Sequence, residues 1–219
     1  MKYKNMNVVI IGGGQKFGKS IADKFKSNND SVYILSHKNY GSNTNHFYAN
    51  FLDYKSVATA TDKLIGNLDK IDILLYCTNF DYGPCADNDF CSKTEIDAIA
   101  DRWQKSILIQ AVIPHIISII ALQKMDKNSK IIFMTSHIAF EVPRNYCTSS
   151  VGHPGGKASQ NHLMFALSHY NDKDASVYSI STHLDFDDLN EYNARVDKIF
   201  NNIKSFNKEY SGRIIEIYN

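Results

Sequence analysis

A glycine-rich stretch near the N-terminus has the composition of a phosphate-binding turn. It follows the apolar, β-branched residues 8–11 and precedes a helical apolar pattern at Phe17, Ile21, Ala22 and Phe25. A strand, a glycine turn and a helix start in this order present backbone N–H groups and the positive end of a helix dipole to an anion. The sequence therefore predicts a nucleotide ligand, although a turn that only packs a helix onto a sheet has the same composition.

One interpretation of this stretch is a P-loop. Gly13-x-x-x-x-Gly18-Lys19-Ser20 fits that pattern, in which the Lys reaches the β/γ-phosphates and the Ser hydroxyl meets Mg²⁺. Residues 101–106 (Asp-Arg-Trp-Gln-Lys-Ser) also resemble the DRY-x-x-S element of thymidylate kinases. However, the chain has only four scattered arginines, and no apolar strand ends in an Asp that could hold Mg²⁺. The rest of the sequence must decide whether this stretch is a P-loop.

Composition limits the class of protein. With 219 residues, 43% of them hydrophobic, the chain can bury one core, and we expect a single domain over residues 1–219. A net charge of +1 with dispersed lysines argues against a nucleic-acid partner. The first residues lack the apolar stretch of a signal peptide, and the apolar run 107–122 is interrupted by polar residues. We expect a cytoplasmic protein that binds no membrane.

The cysteines and histidines do not form a metal-ligand pattern. Four cysteines include no CxxC pair, and eight histidines show no HExxH or similar spacing. We expect reduced thiols and no metal site.

Strand and helix patterns alternate along the whole chain. Strand-like runs cover residues 7–11, 31–36, 45–50, 71–77, 130–136, 175–182 and 213–218, and helical patterns cover about 17–28, 54–68, 95–125, 156–171 and 189–206. This alternation predicts an α/β fold with a doubly wound, mostly parallel sheet of about seven strands and helices on both faces. A ligand is expected at the carboxyl ends of the strands. The helices at 95–125 and 156–171 carry extra apolar surface, which predicts a homodimer or homotetramer.

The order of these elements resembles the short-chain dehydrogenase/reductase family from the first strand to the last. Residues 11–18 are similar to its TGxxxGxG turn, with Ile11 in place of Thr and Lys16 in place of the middle glycine. Five further segments are similar to family elements: 50–57 to D-V-T-D, 71–79 to a strand followed by N-N-A-G, 103–114 to the helix with the active-site Asn, 131–136 to the strand that ends in the catalytic Ser, and 211–217 to the closing strand. The resemblance implies a Rossmann-type fold.

The resemblance also implies four active-site positions. In the family a Tyr donates a proton to a carbonyl, a Lys lowers the pKa of that Tyr and holds the cofactor ribose, a Ser positions the substrate, and an Asn supports a water relay. The corresponding residues here are His153, Lys157, Ser136 and Gln110. Only the Ser and the Lys are retained, with Tyr146 as a second candidate proton donor.

His153 differs from the family Tyr in its acid–base chemistry. An imidazole titrates near pH 6.5, and a neighbouring ammonium disfavours its charged form, so we expect weak proton donation at neutral pH. Gly155 and Gly156 are also expected to weaken the helical turn between His153 and Lys157. A helix cap or a solvent-facing histidine is the alternative interpretation.

The implied cofactor is a nicotinamide dinucleotide. NAD-specific relatives place an acidic residue at the end of the second strand, but residues 34–38 contain none, and nearby hydroxyl and cationic groups could neutralise a 2′-phosphate. NADP is therefore favoured over NAD, although the bulk of residues 76–79 is expected beside it. The candidate cofactor contacts are Gly12, Gly13, Gly14, Lys16, Phe17, Gly18, Ser36, His37, Lys38, Asn50, Cys77 and Lys157.

Three functions remain open. The first is an NADP(H)-dependent oxidoreductase that acts on a carbonyl or hydroxyl group of a small-molecule substrate. The second is a catalytically inactive binding protein on the same fold, because fold does not carry function. The third is the P-loop kinase. The short span 184–191, where relatives keep a substrate lid, predicts an open pocket.

Overall fold

The computed structural model describes residues 5–38, 45–78, 96–141, 152–182 and 188–217, without the side chain of Ala98. Its strands are β1 (Asn7–Ile11), β2 (Ser31–Ser36), β3 (His46–Tyr48), β4 (Ile73–Tyr76), β5 (Lys130–Thr135), β6 (Ser176–Ser181) and β7 (Ile214–Glu216). Its helices are α1 (Lys16–Ser27), α2 (Tyr54–Gly66), α3 (Ile96–Ile107), α4 (Ile113–Leu122), α5 (Gly152–Tyr170) and α6 (Leu189–Ser205). A π-helical turn, Leu108–Val112, joins α3 to α4.

The seven described strands form one parallel sheet in the order β3-β2-β1-β4-β5-β6-β7. Strand β1 lies between β2 and β4, with Val9 opposite both Tyr33 and Leu74. The strand order reverses at β1, and the crevice beyond the carboxyl ends of β1 and β4 is where such sheets bind ligands. The predicted α/β fold is confirmed.

Two apolar layers cover the sheet, because alternate side chains of each strand point to opposite faces. Val9 and Ile11 belong to the core under α2, α4 and α5, whereas Val8 and Ile10 belong to the core under α1 and α6. Strand β4 is buried at all four positions, as expected for a central parallel strand. The helices therefore pack against a rigid sheet.

The helical run predicted over 95–125 is present but not uniform. It consists of α3, the π turn and α4, and Pro114 stands in the first turn of α4. Proline lacks the N–H that a regular helix would donate, and π turns occur often at functional sites. The stretch Ile99–Leu122 is long and apolar enough to cross a membrane, but half of it is buried in the protein, as in a core helix.

Helix α5 begins four residues earlier than the predicted 156, and this boundary was wrong. The glycines that favoured a later start lie inside it because α3 packs too closely to admit side chains. A Cβ on Gly155 would lie 2.3 Å from the Trp103 ring, and one on Gly156 would lie 2.5 Å from Ser106 Oγ. The close contact between α3 and α5 therefore keeps Gly155 and Gly156 helical, although glycine has a low intrinsic helix propensity.

Candidate functional site

The glycine turn after β1 packs tightly against the end of β4 and the start of α1. Gly12 has a φ of +82°, and a Cβ there would lie 3.1 Å from the Cys77 backbone. A Cβ on Gly18 would lie 2.4 Å from the Gly12 carbonyl oxygen. The turn is anchored by the Gly12 N–H, which donates to the Leu35 carbonyl at 2.8 Å. Glycine is required at these two positions, which matches the role of the first and last glycines in dinucleotide-binding turns.

The N-terminus of α1 is suited to an anion. The N-cap residue, Gln15, makes no side-chain capping hydrogen bond, and the first turn contains no acidic residue. Backbone N–H groups at an uncapped helix start attract phosphate, and the helix dipole adds to the attraction. Lys16, which stands in place of the family's middle glycine, has a φ of +44°. It therefore adopts the left-handed backbone conformation that a glycine would adopt without strain.

Two observations weigh against the P-loop interpretation. Helix α1 already begins at Lys16, inside the segment 13–18 that would wrap around a phosphate. Lys19 is exposed and pairs with Asp23 at 2.6 Å, while the Ser20 hydroxyl lies 3.1 Å from the Tyr192 hydroxyl. Residues 101–106, which resembled a kinase element, lie in the middle of α3.

The end of β2 is polar and has no acidic residue, as predicted for a 2′-phosphate site. The buried Ser36 hydroxyl donates to the Lys38 carbonyl at 2.9 Å and lies 2.7 Å from Nε2 of His46. His37 and Lys38 are exposed. Burial, and secondarily the charge of Lys26, lowers the pKa of His46. Sequence reasoning missed His46, because only the parallel pairing of β2 with β3 brings it beside Ser36.

Two further candidate cofactor contacts lie at the carboxyl edge of the sheet. Asn50 is exposed, and its Oδ1 accepts from the Leu52 N–H at 3.0 Å. Cys77 is half-buried at the end of β4, and its N–H donates to the Ile11 carbonyl at 2.8 Å. Burial raises the pKa of the Cys77 thiol to about 12, against the opposing charge of Lys157. This thiol is therefore protonated at neutral pH.

The prediction that residues 76–79 put large side chains beside the cofactor is wrong for Tyr76. Its ring stacks on Phe133 at 4.7 Å in the core, on the side of α4, and is fully buried. Its hydroxyl donates to the Pro114 carbonyl at 2.9 Å and lies 2.8 Å from Ser118 Oγ. The crevice is consequently bordered by the smaller side chain of Cys77. The structure does not describe Asn79.

His153 and Gln110 meet in a polar contact between the π turn and α5. Gln110 Nε2 donates to Ser106 Oγ at 2.9 Å and lies 3.2 Å from His153 Nδ1, while the Ser106 hydroxyl donates to the Gly152 carbonyl at 2.6 Å. All four groups are buried. This contact fits a Gln110 amide that donates to Nδ1 while the ring proton of His153 lies on Nε2. This buried histidine is not the solvent-facing residue of the alternative interpretation.

Lys157 crosses from α5 to the ends of two central strands. Its ammonium donates to the Met134 carbonyl at 2.9 Å, to the Thr78 carbonyl at 3.3 Å and to Gln160 Oε1 at 3.4 Å. The residue is only 5% exposed. Burial lowers its pKa to about 8, against the opposing effect of Cys77. Lys157 therefore lies at the carboxyl ends of the central strands, with its donors directed to acceptors within the protein.

Ser136, the fourth of the predicted catalytic residues, lies directly after β5. It lies two residues beyond Met134, whose carbonyl holds Lys157, and its hydroxyl lies 3.4 Å from His137 Nδ1. His153 stands one helical turn before Lys157, so both side chains leave α5 on one face. The four predicted catalytic residues thus lie on adjoining elements. Tyr146 and residues 184–187, the first half of the span 184–191, fall outside the described residues.

Neither a family model nor a curated protein matches the sequence. Solved structures do match. An oxidoreductase of the short-chain dehydrogenase/reductase family from Brucella ovis, in complex with partially ordered NAD, has a TM-score of 0.75 at 14% identity, covering 98% of this chain and 100% of its own. A short-chain dehydrogenase/reductase from Serratia marcescens has a TM-score of 0.73 at 12% identity, with coverages of 99% and 97%. The protein BdcA in complex with NADPH has a TM-score of 0.72 at 13% identity, with coverages of 99% and 94%. The chain therefore has the short-chain dehydrogenase/reductase fold.

Proposed function

We propose that this chain binds NADP(H) across the carboxyl edge of its sheet and acts as an oxidoreductase on a carbonyl or hydroxyl group. The observation that carries the proposal is the glycine turn. Gly12 and Gly18 leave no room for a side chain, and the uncapped start of α1 faces the space above them. Two of the solved structures with this fold are complexes with NAD or NADPH. A pyrophosphate on the α1 N-terminus is the ligand that suits this arrangement.

The remaining candidate contacts suit the other parts of such a cofactor. Residues around Gly12–Gly13–Gly14, Lys16 and Phe17 would border the pyrophosphate, and Asn50 would lie toward the adenine. The exposed His37 and Lys38 would receive the 2′-phosphate, beside the buried Ser36, since this end of β2 carries no carboxylate. Cys77 and Lys157 would lie toward the nicotinamide ribose. When bound, the cofactor would supply or accept the hydride.

The chain's own residues would orient the substrate and polarise its oxygen. With the Gln110 amide donating to Nδ1, His153 would present its Nε2–H as a hydrogen-bond donor to the substrate oxygen. Ser136, at the end of β5, would hold the same oxygen from the opposite side. Lys157 would add positive charge near the site, which favours negative charge developing on the substrate. The family's pattern of proton donation from a lysine-activated phenol is absent among these residues.

The cofactor preference is tested by titration with NADPH, NADH and Mg·ATP, followed through nicotinamide fluorescence and thermal shift. We expect a response to NADPH and a much weaker one to NADH. Lys38→Glu should lower NADPH affinity about tenfold and leave NADH unaffected, because it puts a carboxylate beside the 2′-phosphate. The matched control is Lys55→Glu, an exposed lysine on α2. Silence toward both nicotinamide cofactors, or a response to Mg·ATP alone, would refute the proposal.

A second candidate function, dinucleotide binding without turnover, is favoured by the contacts of Lys157. All three of its N–H groups already have acceptors within the protein. The two candidates differ in one measurement, which is NADPH consumption with a panel of aldehydes and ketones. Turnover that is lost in His153→Phe supports the oxidoreductase. NADPH binding without turnover across the panel supports the binding protein.

A further inference from the structure

A buried chain of hydrogen bonds runs from the first residue of α5 through Ser106 and Gln110 to His153. Ser106 Oγ lies 2.6 Å from the Gly152 carbonyl oxygen and 2.9 Å from Gln110 Nε2. Gln110 Nε2 lies in turn 3.2 Å from His153 Nδ1. Ser106 is 1% exposed and Gln110 is fully buried, so bulk water does not compete for these contacts. The family resemblance points to Gln110 and His153, but it assigns nothing to Ser106.

The first bond in this chain has a fixed direction, because a carbonyl oxygen carries no hydrogen. The hydrogen between Ser106 and Gly152 therefore belongs to the Ser106 hydroxyl, which has only one. With that hydrogen committed, Ser106 Oγ can only accept from Gln110. The Gln110 amide must consequently turn its NH₂ group, and not its oxygen, toward Ser106. Ser106 thus selects one of the two orientations of this amide.

The orientation of the Gln110 amide decides where the ring hydrogen of His153 lies. Its NH₂ group has a second hydrogen, and Nε2 is within hydrogen-bond distance of His153 Nδ1. Two N–H groups that face each other repel, so Nδ1 has to be the acceptor and the hydrogen of the neutral ring has to be on Nε2. A reversed amide would favour the opposite tautomer, but its oxygen would then face Ser106 Oγ with no hydrogen between them.

Two further observations agree with this arrangement. Gln110 Oε1 is buried and has no hydrogen-bond partner among the described residues. A buried acceptor without a donor is destabilising, and the amide would turn this oxygen toward Ser106 and His153 if either offered it a hydrogen. Gly156 is also needed for the contact, because a Cβ there would lie 2.5 Å from Ser106 Oγ and 2.8 Å from Gln110 Nε2.

We propose that Ser106 is a positioning residue that fixes the tautomer of His153, because it orients the Gln110 amide and thereby leaves the ring hydrogen on Nε2. The tautomer follows from the hydrogen bonds alone. Its use in catalysis rests on the proposed function, in which the Nε2–H donates to the substrate oxygen. A ring with its hydrogen on Nδ1 would instead turn the Nε2 lone pair toward that oxygen and repel it.

The first test reads the tautomer of the unmodified full chain by long-range ¹H–¹⁵N NMR. The two nitrogens of a neutral imidazole differ in chemical shift according to which of them carries the hydrogen. The spectrum is recorded at about pH 8, well above the ordinary pKa of histidine, and the His153 signals are those that His153→Phe removes. We expect the hydrogen on Nε2. A ring with its hydrogen on Nδ1, or an even mixture of tautomers, would overturn the proposal.

The second test repeats the measurement in Ser106→Ala, with Ser118→Ala as the matched control. Ser118 is also fully buried, but its Oγ lies 2.8 Å from the Tyr76 hydroxyl and not beside Gln110. Without the Ser106 hydroxyl the amide is free to turn its oxygen toward the ring. S106A should therefore show a mixture of tautomers, while S118A keeps the hydrogen on Nε2. Ser106→Cys, in which a weakly hydrogen-bonding thiol fills the same space, should give the same mixture and serves if the alanine variant does not fold. A His153 that keeps its hydrogen wholly on Nε2 in these Ser106 variants would overturn the proposal.

Kinetics separate this inference from the proposed function. If the chain reduces ketones with NADPH, S106A should lower kcat in proportion to the fraction of His153 that has lost its Nε2–H, and NADPH affinity should stay unchanged. An unmodified chain that binds NADPH without turnover would refute the oxidoreductase, whereas the NMR spectra would still decide the role of Ser106. Full turnover in an S106A protein that shows the mixed tautomers would overturn the catalytic use of the Nε2–H.

Discussion

The burial of Lys157 makes a prediction about stability that carries a definite sign. Its pKa is about 8 in the folded protein, against an ordinary value of 10.5. Between those two values the unfolded chain holds a proton that the folded chain has released. The free energy of unfolding therefore rises with pH across this window. With those two pKa values, Lys157 should add about 2 kcal/mol between pH 8 and pH 10.

Cys77 has the opposite effect and must be removed from the comparison. Burial raises the pKa of its thiol to about 12, so above pH 9 the unfolded chain loses a proton that the folded chain keeps. By the same arithmetic, Cys77 should subtract about 1.4 kcal/mol between pH 8 and pH 10. The two effects partly cancel in the unmodified protein. Cys77→Ala is therefore the proper background. Burial also lowers the pKa of Lys130 to about 8, so Lys130 adds its own rise with pH, but that rise is common to the variants compared and cancels in their difference.

The assay is urea unfolding followed by circular dichroism at pH 8, 9 and 10. C77A should gain about 2 kcal/mol more stability over this range than C77A/K157M does, whatever the fixed cost of leaving the Lys157 acceptors unpaired. C77A/K63M is the matched control, because Lys63 is exposed on α2 and its removal should leave the rise intact. Parallel pH profiles for C77A and C77A/K157M would refute the argument that the ammonium is buried in the folded state.

Three further predictions follow from single contacts. Lys16→Gly should stabilise the protein by about 1 kcal/mol in urea unfolding, because it relieves a left-handed backbone at a non-glycine residue; a loss of stability would contradict that conformation. Gly155→Ala should displace the Trp103 ring, which a Cβ would approach to 2.3 Å, and shift its fluorescence to the red, whereas unchanged emission would contradict the close packing of α3 on α5. We also expect a homo-oligomer that forms through the exposed apolar surface of α4, where Ile119 is 52% exposed. Ile119→Asp should yield a monomer in light scattering. An unmodified chain that is already monomeric at micromolar concentration would exclude this homo-oligomer.

Much of the fold could be predicted from the sequence because its signals are local. Each central strand is a short, continuous apolar run, and the helices between them have a clear amphipathic period. The glycine turn could likewise be predicted from residues 12–18. The P-loop pattern was the better string match, but a string does not show where the helix begins. Because α1 starts at Lys16, residues 16–18 are helical, and Lys19 pairs with Asp23 on the same helix.

The parts of the site that could not be predicted depend on register and packing. His46 meets Ser36 only because β3 pairs with β2 in one alignment, and Tyr76 stacks on Phe133 only because β4 pairs with β5 in another. The start of α5 was missed for a related reason. Gly155 reads as a helix breaker in isolation, whereas in the folded chain it is the residue that allows Trp103 to pack against α5.

The groups that accept from Lys157 explain why its pKa is lowered. In the family that this chain resembles, the lysine lowers the pKa of a tyrosine phenol, and the resemblance puts His153 in the place of that tyrosine. The Lys157 ammonium donates to two backbone carbonyls and to the Gln160 amide oxygen, and none of these three acceptors carries a charge. Uncharged acceptors compensate only in part for the loss of water around a buried ammonium, so the released form is favoured. The pH profiles of C77A and C77A/K157M measure that balance, and a rise with pH that is the same in both would contradict it.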